Sequence, residues 1–302
     1  MAQRLPQITV CICTYKRARY LAGLLDELAL QKTEGLFTYS ILVVDNDQLR
    51  SAEPVVAAFK RVSPVEVVYF VEPRQSIALA RNMALHNARS EFLAFIDDDE
   101  LPAKKQWLQT LFTECEMRHV DGVLGSVKPR YENQPPKWVV VGRFYDRASY
   151  PTGLVIDGTK GRTGNVLLRK SIVDGEPGPF RPEFRTGEDQ DFFQRMIAKG
   201  CVFIWCHEAM AYEWVPPNRW TRRFLLRRAL LRGVTSALYP SVGPKDIFKS
   251  MLAVPAYIVL LPFASVISHG KFMVYLVSLF DHLGKLLALA GLNPVTEQYV
   301  TQ

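Results

Sequence analysis

The sequence predicts an α/β fold with a mostly parallel sheet and flanking helices. Short runs rich in β-branched and other apolar residues recur at 8–14, 41–45, 67–71 and 92–97. These runs are apolar throughout rather than alternating, as expected of strands buried on both faces of a parallel sheet. Stretches with helical spacing separate them, and this alternation of strand and helix is typical of βαβ units.

The connecting helices are predicted from the spacing of their apolar residues. In the third stretch, Ile77, Ala80 and Ala84 recur at helical spacing, and in 104–115 apolar residues that include Trp107 share one side. Ligands of an open α/β sheet bind at the carboxyl ends of its strands. Polar residues at those ends are therefore the candidates for function.

The pattern loosens between residues 122 and 214. Strands are predicted at 123–127 and 202–205, and a helix at 190–198. The stretch between them is rich in Gly, Pro, Arg and aromatic residues, which is typical of long substrate-binding loops.

Composition narrows the class of protein. The chain has 302 residues, 48% of them hydrophobic and 22% charged, so it is neither a disordered tail nor a fibre, and it is long enough for one large domain or two ordinary ones. Its five cysteines form no CxxC pair, which favours a reducing compartment over a disulfide framework. Cys11 and Cys13 would share one buried face of the first strand.

The C-terminal third differs in composition, and we predict two domains, 1–215 and 216–302. Residues 218–233 contain six arginines and no acid, and 250–268 is free of charge. A second apolar stretch, 272–292, is interrupted by charged residues that are costly inside a bilayer. We therefore expect a re-entrant or interfacial helical hairpin, or helices packed in an oligomer, rather than two full spans; burial in a soluble domain stays open.

The N-terminal part of the chain is expected to stay in the cytoplasm. The first apolar run, 8–12, is too short for a signal peptide and is followed by Lys16 and Arg17. The net charge of +7 suits anionic lipid, a phosphorylated substrate or nucleic acid equally well. We expect no nucleic-acid partner, because no stacking platform or recognition motif accompanies the basic residues.

The most informative motif follows the fourth predicted strand. Asp97, Asp98, Asp99 and Glu100 are consecutive, and carboxylates so close together repel one another unless a cation compensates them. Mg²⁺ and Mn²⁺ take oxygen ligands and commonly bridge one or two carboxylates to a diphosphate. The alternatives are a solvated acidic turn or an N-cap of the next helix, although capping needs a single acid.

Two further groups of residues are candidates. Glu188, Asp189 and Asp191 open a predicted helix, where they either favour the helix dipole or, at Asp189, provide a general base. Polar side chains also follow the first and second strands. Thr14, Asp45 and Asn46 are candidates for reading a nucleobase, and Lys16, Arg17 and Arg74 for contacting phosphates.

Several motifs of other nucleotide enzymes are absent. The sequence has no G-x-G-x-x-G, no GKS or GKT loop and no HExxH.

Taken in order, the motifs resemble those of family 2 inverting glycosyltransferases with the GT-A fold. They are CTYKR after the first strand, VVDND after the second, ARN in the third helix, FIDDDE after the fourth strand, then GNVLLR and GEDQDFF. The resemblance covers roughly residues 6–215. It is greatest to bacterial exopolysaccharide and lipopolysaccharide sugar transferases, including the succinoglycan glucosyltransferase type.

The resemblance implies a role for each matched position. Asp97 and Asp99 would be the outer members of a DxD motif that holds the metal, Mg²⁺ or Mn²⁺, and Asp189 the catalytic base. In the family the second residue of the strand-2 acidic pair often contacts uracil, and this chain has Asn46 there. The residues expected to bind the donor are Thr14, Tyr15, Arg17, Asp45, Asn46, Arg74, Asp97, Asp98, Gly164, Asn165 and Glu188.

The expected function is transfer of a sugar from UDP-glucose or a close relative to a polyprenyl-diphosphate-linked glycan. The enzyme would act at the cytoplasmic face of a bacterial inner membrane, bind its anionic surface and be compatible with a homo-oligomer. Two alternatives remain. A phosphotransferase of the haloacid-dehalogenase type would need an Asp nucleophile where this chain has Thr14 and Tyr15. A degenerate transferase domain could instead serve as a membrane scaffold.

Overall fold

The computed structural model describes residues 4–239 and 242–295. The strands in this part of the chain are β1 (Gln7–Thr14), β2 (Thr38–Asp45), β3 (Val67–Val71), β4 (Phe92–Ile96), β5 (Glu100–Pro102), β6 (Gly122–Tyr131), β7 (Asn165–Arg169) and β8 (Phe203–Val215). The α-helices are α1 (Ala18–Ala29), α2 (Glu53–Val62), α3 (Ile77–Asn87), α4 (Trp107–Met117), α5 (Lys137–Val141), α6 (Glu188–Ala198), α7 (Arg222–Ser236), α8 (Pro244–Ile267) and α9 (His269–Leu289).

The strands form one eight-stranded sheet in the order β3-β2-β1-β4-β7-β6-β8-β5. β1 pairs in parallel with β2 and β4, and β2 pairs in parallel with β3. The four strands predicted in the first hundred residues are thus confirmed as a parallel unit. β7 is antiparallel to β4 and β6, and β5 is antiparallel to β8. The sequence pattern does not predict β7, since only three of its five residues are apolar.

β1, β2 and β4 are largely buried on both faces, as their continuous apolar runs predicted, whereas β3 lies at the edge of the sheet and its Val68 is 37% exposed. Ile8, Val10 and Ile12 of β1 pack in one core cluster with α1, α2 and α4. Cys11 lies in the cluster on the other face with α3 and α6, and Cys13 packs against that cluster. The period of two along a strand explains this division, because successive side chains point to opposite faces.

Two local devices position the helices that carry site residues. The Ser76 hydroxyl accepts a hydrogen bond from the Leu79 amide at 3.4 Å and caps the start of α3. The Asn82 side chain holds Phe180 through both the amide nitrogen (2.9 Å) and the carbonyl oxygen (2.7 Å) of its backbone. These bonds fix the chain before α6 to α3.

The chain divides into two compact units. One contains residues 4–128, 147–183 and 188–213 of those described, and the other contains 129–146, 184–187, 214–239 and 242–295. A boundary near residue 215 as the end of a domain stays a prediction, and the structure adds two earlier segments to the C-terminal unit. The predicted domains also include residues 1–3, 240–241 and 296–302, which lie outside the described residues.

The second unit is helical. α5, α7 and α9 enclose an apolar core that includes Val139, Trp220, Phe224 and Met273. Ser268 alone separates α8 from α9, so the two helices form a hairpin. By length and composition both could cross a membrane, and only 11% of the most apolar window of α8 and 22% of that of α9 are buried. Most of α8 is therefore not buried by the described residues, whereas α9 contributes Met273 to the apolar core.

Candidate active site

The acidic run lies where β4 ends, beside the carboxyl ends of β1 and β2. Asp98, Asp99 and Glu100 are almost fully buried, whereas the Asp97 side chain is 38% exposed. Buried carboxylates are unfavourable unless they are paired and hydrogen-bonded. The buried run therefore needs compensating positive charge, as the sequence indicated. The guanidinium groups of nearby arginines provide it.

Arg17 neutralises one side of the run. Its Nη1 donates to Asp98 Oδ1 and Asp99 Oδ2, each at 2.9 Å. The Thr14 hydroxyl donates to Asp98 Oδ2 at 2.8 Å. Burial raises the pKa of Asp98 to about 6, although Arg17 and Thr14 both favour the ionised form. Two predicted phosphate-site residues, Arg17 and Asp98, thus contact each other directly.

Arg81 joins the acidic run to α6. This arginine is 6% exposed, and its Nη2 donates to Asp97 Oδ1 at 3.4 Å while its Nη1 contacts Glu188 Oε1. The guanidinium carbon also lies 5.7 Å from the centre of the Phe180 ring. Burial raises the pKa of Glu188 to about 7, although the Arg81 guanidinium lowers it. One buried cation therefore holds the two acidic motifs of the sequence together.

Asp189 is the second residue of α6 and is half-buried. Its Oδ1 accepts a hydrogen bond from the Gln190 amide at 2.8 Å, which fixes the orientation of the carboxylate. Arg162, on the loop before β7, interacts electrostatically with this carboxylate, while burial and the nearby Arg147 lower the pKa of Arg162. Asp189 thus lies beside Glu188, next to the Arg81 bridge.

Gly164 leaves room for the acidic run. A Cβ atom there would lie 2.8 Å from Glu100 Oε1 and 3.0 Å from Asp97 Oδ2. The Gly164 carbonyl also accepts a hydrogen bond from the Asp97 amide at 3.2 Å. Any side chain at this position would displace the Glu100 carboxylate and crowd that of Asp97.

Asn165 is the first residue of β7, and its buried side chain links three elements. Its Oδ1 accepts from Trp107 Nε1 at 2.8 Å, and its Nδ2 donates to the carbonyls of Ser126 (3.0 Å) and Ala209 (2.8 Å). Through these bonds the amide stabilises the sheet beneath the site. A contact with the donor at Asn165 stays a prediction.

Asp45 is fully buried at the end of β2. Its carboxylate accepts hydrogen bonds from the Asp47 amide (3.0 Å), the Ala52 amide (2.7 Å) and the Tyr69 hydroxyl (2.9 Å). These bonds organise the loop that leads into α2. Its predicted contact with a nucleobase is not tested, and the geometry favours a role in shaping that loop.

Asn46 has a similar environment at 2% exposure. Its Nδ2 donates to the carbonyls of Glu72 (2.7 Å) and Arg74 (2.8 Å), and its Oδ1 accepts from the Ser76 amide at 2.8 Å. The Arg74 side chain is 72% exposed and pairs with Glu72 at 3.0 Å. Asn46 thus fixes the chain that enters α3.

Tyr15 is half-buried and follows β1 directly. The Lys16 ammonium lies 5.1 Å from the centre of its ring. Lys16 has a left-handed backbone (φ 54°), so the chain turns sharply between the strand and Arg17. Tyr15 is placed at the same strand end as Thr14 and Arg17.

Sequence reasoning quoted ARN as a motif but assigned no role to Arg81, and it missed Arg147 entirely. Arg147 donates to Glu100 Oε1 at 3.4 Å and to Glu213 Oε2 at 2.6 Å, while Glu100 Oε2 has no hydrogen-bond partner among the described residues. Burial raises the pKa of Glu100 well above its usual range. The sequence feature that pointed to such arginines is the acidic run itself, because it requires positive charge from elsewhere in the chain.

A divalent cation fits this site by the chemistry of its donors. Within the described residues no group of three or more His, Cys, Asp or Glu side chains forms a ready metal site. Mg²⁺-type ions, however, are usually held by one or two carboxylates together with substrate phosphates and water. Asp97 and Asp99 supply two such carboxylates.

The parallel strands and the acidic strand end with its basic partners place the candidate site where open α/β sheets bind their ligands. Residues 9–172 match the family described as "Glycosyl transferase family 2". The chain belongs to this family, and its fold is the GT-A fold.

Known relatives agree with this assignment. The chain is 32% identical over 230 residues to the succinoglycan biosynthesis protein ExoM of Rhizobium meliloti (strain 1021). The aligned region covers 76% of this chain and 73% of that protein. It is similar in fold to the mannosyltransferase PcManGT from Pyrobaculum calidifontis, solved with GDP-Man and Mn²⁺ (TM-score 0.64, 16% identity, 94% of this chain and 88% of that chain).

The fold is also similar to that of S. aureus TarS. The TarS 1–349 complex with UDP-GlcNAc has a TM-score of 0.54 at 15% identity, over 96% of this chain and 94% of that chain. A longer TarS structure is matched over 55% of its length, so this chain spans about half of it.

The raised pKa of Glu188 predicts a pH-dependent stability. The folded carboxyl binds its proton more tightly than the unfolded one, so its stabilising contribution is complete below about pH 4.5 and is lost as the pH rises through about 7. Glu188→Gln lacks this titration. The free energy of unfolding of the variant relative to wild type should therefore increase between these pH values, as measured by urea unfolding of the ligand-free chain in detergent.

Glu188→Gln also removes an anion beside Arg81, which changes the free energy of unfolding by an amount that does not depend on pH. The test is therefore how the difference between variant and wild type changes with pH. Glu53→Gln, at an exposed glutamate of α2, is the matched carboxylate-to-amide control measured alongside it. A difference between Glu188→Gln and wild type that stays flat from pH 4.5 to 7 would contradict the pKa assignment.

Proposed function

We propose that the protein is an inverting glycosyltransferase that moves a sugar from a UDP-sugar, UDP-glucose or a close relative, to a lipid-linked glycan in bacterial surface polysaccharide synthesis. The observation that carries the proposal is the Arg81 bridge. It joins Asp97, in the motif expected to hold the donor diphosphate, to Glu188, the neighbour of the expected base. A transferase needs these two functions within one sugar of each other.

The donor would bind at the carboxyl ends of β1 and β4. Arg17 and Arg81 would contact its phosphate oxygens, because a guanidinium binds phosphate as readily as carboxylate. Mg²⁺ or Mn²⁺ held by Asp97 and Asp99 would supply positive charge that stabilises the departing diphosphate. The Mn²⁺ of the mannosyltransferase PcManGT and the UDP-GlcNAc of TarS support a metal-assisted nucleotide-sugar site.

Asp189 would be the general base. Its Oδ1 is fixed by the Gln190 amide, and we assign Oδ2 to the acceptor hydroxyl. Oδ2 takes the proton as the hydroxyl oxygen attacks the anomeric carbon from the face opposite the diphosphate. The bond from that carbon to the diphosphate breaks in the same step, so a single displacement inverts the anomeric centre.

The acceptor is proposed to be a polyprenyl-diphosphate-linked glycan at the cytoplasmic face of the membrane. Two observations support a lipid-linked acceptor. α8 and α9 are long and apolar enough to cross a membrane, with α8 largely exposed, and the relative ExoM is described as a succinoglycan biosynthesis protein. An enzyme that docks on the membrane would meet a lipid-linked substrate at its surface.

Removal of divalent metal should abolish transfer. EDTA should stop release of UDP from the donor, and Mg²⁺ or Mn²⁺ should restore it. Asp99→Ala should weaken UDP-sugar binding in the presence of Mn²⁺ by at least about tenfold and leave the weaker metal-free binding unchanged, as measured by calorimetric titration. Asp26→Ala, at an exposed position of α1, is the control. Metal-dependent affinity at the wild-type level in Asp99→Ala would exclude Asp99 as a ligand.

Asp189→Asn should separate chemistry from binding. The amide keeps the shape of the side chain but cannot accept the proton, so turnover should fall about 10²–10⁴-fold while donor affinity is retained. Single-turnover transfer and UDP titration measure the two quantities, with Asp26→Asn as the matched carboxylate-to-amide control. Turnover within a few-fold of wild type would assign the base to another residue, such as Asp191.

A further inference from the structure

The C-terminal unit contains a helical layer in which α9 is the middle helix. Tyr275 and His282 lie on the side of α9 that faces α8. The Tyr275 ring is 5.8 Å from that of Tyr257, and His282 Nδ1 lies 3.0 Å from Ser250 Oγ. α7 contacts another side of α9. Every residue of α9 from 272 to 288 is buried or half-buried. Neighbouring helices therefore cover α9 at least in part along most of its length.

α7 packs unusually close to α9. A Cβ atom on Gly233 would lie 2.1 Å from the Asp281 carbonyl oxygen, and one on Gly284 would lie 2.4 Å from the Leu230 carbonyl oxygen. Arg232 donates to both carboxylate oxygens of Asp281, at 3.1 and 2.8 Å. Glycine at both crossing positions allows the two backbones to meet, and the ion pair fixes their register.

The contact between α7 and α9 also extends to the opposite end of α9. Arg222, the first residue of α7, lies 3.1 Å from His269, the first residue of α9. The two helices therefore run side by side from His269 to the region of Asp281 and Gly284. At 1.5 Å per residue this shared length is about 20 Å.

α8 is apolar on all sides but contacts protein on one. Only Ser250 and Ala264 of α8 are fully buried. Its exposed large apolar residues are Phe248, Met251, Leu252, Ile258, Val259, Leu260, Phe263, Val266 and Ile267. A helix that is hydrophobic all round is normally buried, so something outside the described residues covers α8.

Charge identifies the occupant as lipid. Exposed lysines flank the apolar part of the hairpin, Lys245 and Lys249 at the start of α8 and Lys271 at the start of α9. Between Ser250 and Ser268 there is no charged residue. An apolar helix bounded by cations suits the acyl boundary of a membrane with anionic headgroups.

The packing of α7 against α9 argues against a hairpin that crosses the membrane. If α9 crossed the bilayer, about 20 Å of α7 would be held at the same depth in a hydrocarbon core about 30 Å thick. α7 carries Arg222, Arg223, Arg227, Arg228 and Arg232, and charged residues at that depth are strongly disfavoured. Asp281 and Lys285 of α9 would be two further charged residues at that depth.

We infer that the hairpin is monotopic: α8 lies within one leaflet of an anionic membrane, and both ends of the hairpin stay on the same side as α7. α8 then buries its exposed residues among acyl chains, and the arginines of α7 remain among headgroups and water. This inference rests on the proposed function for its choice of a membrane partner, and it decides between spanning and lying in the interface.

The topology is tested by cysteine labelling of the full-length protein expressed in a bacterial host. Lys271→Cys lies at the turn of the hairpin, and Arg223→Cys on α7 is the control. The wild-type chain measures the labelling of its five native cysteines. A membrane-impermeant maleimide should label both variants in inverted membrane vesicles and neither above background in intact spheroplasts. Labelling of Lys271→Cys from the outside of spheroplasts, with Arg223→Cys labelled only in inverted vesicles, would prove a spanning hairpin and overturn the inference.

The choice of lipid as the occupant is tested by flotation of purified protein with vesicles of phosphatidylcholine and phosphatidylglycerol. Phe263→Glu, on the exposed face of α8, should reduce the floating fraction at least about tenfold, whereas Val62→Glu, at an exposed position of α2, should float like wild type. Wild-type protein that stays in solution without detergent, as a dimer or bound to another protein, would overturn the inference.

Titration of UDP into the same preparations separates the two claims. Normal UDP binding with failed flotation would reject the membrane surface alone. Flotation without UDP binding would reject the proposed donor site and leave the topology intact.

Discussion

Charge compensation at the carboxyl ends of β1 and β4 is the interaction on which the site depends. Four consecutive acids follow β4, and a fifth begins α6. The arginines that compensate them are Arg17, Arg81 and Arg147. An unpaired carboxylate in this setting would be costly, so the fold can bury the acids only if the three arginines reach them.

Each of these arginines comes from a different part of the chain, and this is how the site is assembled. Arg17 follows β1, Arg81 lies in α3, and Arg147 lies on the loop between α5 and β7. Their ion pairs tie distant segments to one strand end, and Gly164 leaves the space in which the carboxylates lie. In the proposed reaction Arg17 and Arg81 would also contact diphosphate oxygens, so the groups that organise the carboxylates would bind an anionic substrate as well.

The sequence was sufficient for the parallel half of the fold, because continuous apolar runs between helical stretches have few other solutions. It also located Asp97–Asp99 and Glu188–Asp189 as acidic sites and showed that the first of these needs positive charge. It did not predict that Arg81 would join them, since the partner Glu188 is 107 residues away and only tertiary packing selects it. β7 was missed because only three of its five residues are apolar, too few to show a periodicity that separates a strand from a loop. The buried hydrogen bonds of Asp45, Asn46 and Asn165 likewise depend on contacts between distant elements.

The most direct test of the account is the effect of Arg81→Gln on donor binding and turnover in one preparation. Arg195→Gln is the matched comparison, because Arg195, although less buried than Arg81, is likewise paired with a buried carboxylate, that of Asp191 at 2.9 Å, outside the acidic run. Circular dichroism establishes that both variants are folded. The account predicts that Arg81→Gln loses both UDP affinity in Mn²⁺ and sugar transfer, whereas Arg195→Gln retains both. A folded Arg81→Gln protein with wild-type affinity and turnover would contradict the claim that this bridge unites the two halves of the site.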